Sequence, residues 1–378
     1  MLNRSTFFAT LFLAAAGIGG VFLAPGCSSG GGDAGTADTG PAAESLQPPA
    51  RPTAKKTGVT KWFAVKKLYL GTADRTGKTS STAWQQFGYD IDGRFTTSAD
   101  SAANTNVCKR VEGAPKSINT DGPKGVDNNF GSQVMSVIKS LKSDAEDTVN
   151  QTLADGDFSL LMKIDNFTTE DNDSAPGQLF VATYYGGKDS GKKPTFTEAD
   201  KEWQILDASL TDGKTLSDPK LKFPTAYISN GTWVSGDFGK GTIELAIALS
   251  GAEIKLPIDS GVITFNVKDG TGGTIAGAMN TGKLKDSLTP IARKFGICPG
   301  NATYDQVVNT LTQGADLVSG APKLQDTTKT CDAISIALGF DVQPTGDHSA
   351  AKVYTAATTP GKDDCDKPDG GTDAPPGG

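Results

Sequence analysis

Two short stretches concentrate acids and glycines: Phe87-Gly88-Tyr89-Asp90-Ile91-Asp92-Gly93, and Asp121-Gly122-Pro123-Lys124-Gly125-Val126-Asp127-Asn128-Asn129-Phe130-Gly131. Calcium takes roughly six to eight oxygen ligands, and glycine supplies the tight turns between them. Asp90, Asp92, Asp121, Asp127 and Asn128 are therefore the residues expected to converge on a calcium ion. Glu170-Asp171-Asn172-Asp173 offers further oxygens. The pattern is not an EF-hand, because no third acid follows Asp92 in register and no Glu closes the loop. The plainer role for the same residues is in Asp/Gly turns and helix caps, where side chains bond the local backbone. Calcium apart, no cofactor is expected.

Other chemistries find less support. A glycan-processing enzyme needs two carboxylates roughly 5–10 Å apart in a cleft. Glu244 and Glu253, expected on facing strands of one hairpin, are the pair to consider. Lys255 beside them points instead to a solvated polar face. Aromatic residues are 7% of the chain, leaving Trp203, Trp233, Tyr184 and Tyr185 as sugar platforms. The single histidine, His348, sits among Thr345-Gly346-Asp347 and Ser349 and reads as a surface loop residue. One histidine builds no His-cluster metal site. The net charge of −7 leaves no basic surface for nucleic acid. No catalytic residue is expected, and the chain reads as a binding or structural module.

The elements that must position these residues are mostly strands. Glycine, 46 of 378 residues, favours turn-rich β structure over a helical bundle. Strands are expected at Trp62–Leu70, Trp84–Ile91, Phe158–Ile164, Gln178–Tyr185 and Ala226–Ser229. Asn230-Gly231 follows as a hairpin turn. From residue 242 to 279, apolar residues alternate with polar or small ones between turns. Ile243, Leu245, Ile247 and Leu249 form one strand, Ile254, Leu256 and Ile258 a second, and Ile263, Phe265 and Val267 a third. This is the pattern of an antiparallel meander, each sheet facing a core on one side. Helices are expected over Phe130–Leu141, Asp144–Leu153 and Lys283–Phe295, with Pro290 kinking the last. Thr303-Tyr304-Asp305-Gln306 opens another as a capping box. Cys331–Val342 reads as a closing strand. The fold class is mainly β: an antiparallel sandwich or barrel-like domain with a few packed helices.

The N-terminus carries the address. Arg4 and the apolar run from Phe7 to Leu23 have the make-up of an export signal. Leu23-Ala24-Pro25-Gly26-Cys27 resembles a bacterial lipobox, which implies cleavage after residue 26 and lipidation of Cys27. Residues 1–26 are then a lipoprotein signal peptide, and 27–57 a lipidated Cys and flexible tether without an aromatic. Thirty coil residues span roughly 30 Å. Residues 58–357 form a single β-rich globular domain, and 358–378 a disordered acidic Pro/Gly tail. Four cysteines remain, an even count that favours disulfides in an exported chain. Cys298–Cys331 is expected because the helices between them must return to the closing strand. Cys108–Cys365 follows by elimination.

With the lipobox-like Cys27, the DIDG patch at Asp90–Gly93, the DGPKGVDN patch at Asp121–Asn128 and the strand CDAISIALGF at Cys331–Phe340, the chain resembles exported lipoproteins of unknown function from myxobacteria-like bacteria. The resemblance implies a location in the bacterial cell envelope, anchored to the outer membrane, and disulfides. It implies no reaction. Expected partners are the membrane through the lipid anchor and an envelope protein or glycan. A lectin-like or glycan-active sandwich using acidic loops is the alternative.

Overall fold

A computed structural model describes residues 45–237, 241–249, 252–294, 296–321, 324–355 and 365. The expected leader 1–26, Cys27 and most of the C-terminal tail lie outside the described residues. The chain enters strand β1 (Val59–Tyr69), then helices α1 (Ser98–Ala103), α2 (Met135–Leu141) and α3 (Ala145–Asp155). Strands β2 (Phe158–Phe167), β3 (Gly177–Thr183), β4 (Gln204–Leu206), β5 (Leu221–Phe223), β6 (Tyr227–Ser229) and β7 (Thr232–Val234) follow. Then come β8 (Thr242–Leu249), β9 (Ala252–Asn266), β10 (Gly273–Asn280), helices α4 (Thr281–Lys294) and α5 (Ala302–Gln313), and strands β11 (Ala333–Thr345) and β12 (Val353–Tyr354). The protein is mainly β.

All the strands belong to one mixed sheet, ordered β12-β4-β3-β2-β1-β11-β10-β9-β7-β6, with β5 on β3 and β8 on β9. Only β12 and β4 pair in parallel among the described strands. The sheet's last strand is tied back across it: Asn172, in the loop before β3, exchanges backbone hydrogen bonds with Ile228 of β6 at 2.8 and 2.9 Å. The Trp233 indole on β7 donates to the Ala175 carbonyl at 2.9 Å, adding a second tie. Asn230 and Gly231 both take positive φ, as the two-residue hairpin turn between β6 and β7 requires.

Both faces of the central strands are buried, whereas alternation had predicted one core face per strand. On β10 and β11, Ile275, Met279, Ile334, Ile336 and Leu338 enter the main core beneath α2–α5. Ala276, Ala278, Ala333 and Ala337 line the other face. The residues between the large ones are thus small, and small side chains let loops lie flat on the sheet. At Gly339 a Cβ would fall 2.3 Å from the Phe87 ring, so only glycine lets that ring rest there. This is why Trp84–Ile91 is no strand: after a short 3-10 turn at Ala83–Gln86 it lies across the sheet face instead of pairing in it. A second departure is β9, one strand where two were expected. Ser260, at φ 54°, kinks it without ending it.

Part of the stretch expected as a flexible tether is ordered. Residues 45–57 lie along the domain: Leu46 N–H donates to Lys124 O at 3.0 Å and its carbonyl accepts from Asp90 N–H at 2.9 Å. Arg51 stacks 4.5 Å over the Tyr227 ring, whose hydroxyl donates to Pro49 O. Partners supplied by the folded domain order a segment that has no core of its own.

The disulfides also differ from expectation: Cys108 joins Cys331, and Cys298 joins Cys365. Lys109 N–H donates to Lys329 O at 2.8 Å and Cys331 N–H to Lys109 O at 2.9 Å, so a short bridge holds Cys108 beside Cys331. Cys298, in the loop after α4, then takes Cys365 from the tail.

Candidate metal centre

Asp90 and Asp92 stand on the loop that crosses the small-residue face, and Asp127 comes from the second glycine-acid stretch. One carboxylate oxygen from each lies within 4.8 Å of the others, and all three side chains are buried. The loops approach this closely at Gly125, whose φ is +76° and where a Cβ would lie 2.9 Å from Arg94 O and 3.0 Å from Asp90 Cγ.

Backbone donors hold each carboxylate. Arg94 N–H is shared between Asp90 Oδ1 at 3.0 Å and Asp92 Oδ1 at 2.8 Å. Ile91 N–H donates to Asp127 Oδ2 at 2.8 Å. Thr96 N–H donates to Asp121 Oδ2 at 2.5 Å, and the Asp121 carboxyl hydrogen-bonds that of Asp127. From the strap, Ser45 Oγ donates to Asp90 Oδ2 at 2.5 Å.

The fifth expected ligand does not belong. Asn128 donates from Nδ2 to the carbonyls of Trp84 and Phe87, while its Oδ1 accepts from the N–H groups of Gly131 and Ala337. Every polar position of its amide is used, so Asn128 is a clamp between loop, helix start and β11. The Glu170–Asp173 oxygens lie elsewhere: Glu170 pairs with Lys56, and Asp171 accepts from Asn230 N–H.

Two groups absent from the sequence reading complete the cluster. Asp316, buried, accepts from Ser335 N–H at 2.8 Å and Ser335 Oγ at 2.6 Å. Gln325 donates from Nε2 to Asp92 Oδ2 at 2.8 Å and to Asp316 O at 3.0 Å, and its Oε1 accepts from Cys108 N–H. The Cys108–Cys331 disulfide thus fixes the segment that carries Gln325. A usable signal existed for Asp316, an acid inside the small and apolar run Gly314-Ala315-Asp316-Leu317-Val318.

Burial disfavours charge on Asp92, Asp121, Asp127 and Asp316. Desolvation, reinforced by repulsion from neighbouring carboxylates, pushes Asp92 up to about 6, Asp121 to about 8 and Asp316 to about 7. Asp127 moves the same way for the same reasons. Such a cluster is stable either by holding protons or by holding a cation that replaces them. The donors are all oxygen, which suits a hard divalent ion such as calcium and not zinc or copper. Nearby in sequence, Asn119 is buried with neither its amide oxygen nor its nitrogen hydrogen-bonded.

The other candidates separate. Glu244 lies opposite Pro257 and Glu253 opposite Ala248. The two glutamates are therefore offset by four positions along the hairpin, about 13 Å at the strand rise, outside the range for paired carboxylates. Trp203 and Trp233 are in the core, Tyr185 is buried with its hydroxyl on Asp200, and Tyr184 packs edge-on against Tyr354. His348 is buried as well, at 1% exposure, with its ring edge-on to Trp62 and Nε2 3.2 Å from Thr345 Oγ1. Desolvation lowers its pKa to about 4.

No family model, curated protein or solved structure matches the chain. Among the described residues, no helix is long and apolar enough to cross a membrane.

Proposed function

We propose that the protein is an exported lipoprotein of the bacterial cell envelope, held at the outer membrane through lipid on Cys27. Its folded domain acts as a binding or structural module. The observation that carries this reading is the pair of disulfides, which form and persist in oxidising, extracytoplasmic compartments. The export signal and lipobox-like Cys27 agree with it.

A glycan-active role loses its support, since the tryptophans are in the core and the two glutamates are far apart. Metabolic labelling with a lipid precursor tests the anchor. Cys27→Ala is expected to abolish labelling and release the protein from membranes. Labelling that survives the substitution overturns the reading.

A further inference from the structure

The loop before β3 is tied to β6, but a seam remains beside β5 and β8. In the described sheet, β5 pairs only with β3 and β8 only with β9, so each keeps one unbonded edge. Residues of both strands wall a cleft of about 290 Å³. Its floor is Leu160, Leu179, Val181, Leu206, Leu221 and Leu245, drawn from strands on both sides of the seam. Its mouth carries Lys220 and Lys255 against a single carboxylate, Glu244. No salt bridge joins either lysine to a described carboxylate, so the mouth is net cationic.

Behind the floor lies a small void lined by Val65, Leu160, Met162, Leu179, Ile275 and Phe340, among other apolar residues. It shares Leu160 and Leu179 with the cleft, and at about 10 Å³ it barely reaches the size of one water. A cationic mouth above a leucine-lined floor suits an unbranched alkyl chain. The flexible Met162 side chain can yield to a methyl end. At roughly 30 Å³ per group, the molecular share in liquid water, the cleft seats about ten methylene-sized groups.

We propose that this cleft binds a single-chain anionic amphiphile, its alkyl chain on the leucine floor and its head group between Lys220 and Lys255. This gives the binding-module reading a ligand class and rests on it. Lipid labelling at Cys27 and filling of the cleft are separate measurements, and either can fail alone.

The test uses the full chain carrying Cys27→Ala, purified without detergent and titrated with a fluorescent polyene fatty acid. Saturable binding of one probe per chain at micromolar concentration is expected, with displacement by dodecanoate and about tenfold weaker displacement by dodecanol. Lysophosphatidylglycerol is the second competitor, and the stronger of the two anions identifies the natural source. Val181→Trp should fill the cleft and abolish binding. Lys220→Glu with Lys255→Glu, both on the surface, should weaken it about tenfold without altering the melting temperature. Absence of saturable binding overturns the proposal. So does binding that the lysine pair leaves unchanged, a result independent of whether Val181→Trp folds.

Discussion

Raising the pH should destabilise this domain in a window where most proteins change little. Unfolded aspartates ionise near pH 3.9. Asp316 is held at about 7 and Asp121 at about 8. The folded state therefore binds more protons than the unfolded one, and stability falls as pH rises through the folded values. Over the whole range, a shift from 3.8 to about 7 makes Asp316 alone cost on the order of 4 kcal/mol. His348 acts in the opposite sense: its pKa is lowered to about 4, so its contribution is complete above about 6.5 and lost as pH falls. Comparing pH 6.5 with pH 8.5 leaves histidine only about 0.4 kcal/mol, of opposite sign. Linkage over that interval gives about 1 kcal/mol for Asp316 and about 2 for Asp121, on the order of 3 together. That corresponds to a fall in Tm of roughly 5–10 °C for a domain of this size. Scanning calorimetry in EDTA at the two pH values measures it. Calcium at several millimolar should restore the loss at pH 8.5, since a ligand at 100 times its dissociation constant adds about 2.7 kcal/mol. Asp316→Asn and Asp92→Asn should each flatten the pH dependence. A Tm that is level or rises between pH 6.5 and 8.5 in EDTA refutes the proton-holding account of the cluster, and indifference to calcium refutes the cation account.

Further outcomes follow from single contacts. Replacing Cys108 and Cys331 by serine should cost about 5 kcal/mol for a loop of this length, against about 4 for Cys298 and Cys365, as read by urea unfolding. Peptide mapping without reduction should recover the same two pairs, and a Cys298–Cys331 peptide would contradict them. Asn128→Ala removes four hydrogen bonds from buried backbone and should lower stability by about 3 kcal/mol or more. If the clamp role is right, Asn128→Ala leaves calcium affinity unchanged, which isothermal titration can check. Gly125→Ala places a side chain at positive φ against Arg94 O, and a loss of about 1–3 kcal/mol is expected from chemical denaturation.

Much of this protein is written locally. Ile243 and Leu245 on β8, the Asn230-Gly231 turn and the alternating residues of β11 specify strands through a period of two, which needs no distant partner. The expected export signal and the lipobox-like cysteine are likewise read from consecutive residues. The glycine-acid loops were visible as a cluster in composition, and Asp90, Asp92 and Asp127 do meet. What the tertiary structure decided lies between segments far apart in the chain. Gln325 reaches Asp92 across 233 positions, and Asn128 is consumed by Ala337 across 209. Trp84–Ile91 has strand-forming residues but gives up pairing to lie on Gly339. His348 is buried because Trp62, nearly the whole domain away in sequence, packs against it. Residues 45–57 are ordered by Tyr227 and Asp90, not by their own composition. The physical reason is common to all of these. Periodicity fixes which way a side chain points, but burial, desolvation and disulfide pairing depend on which other segment arrives there.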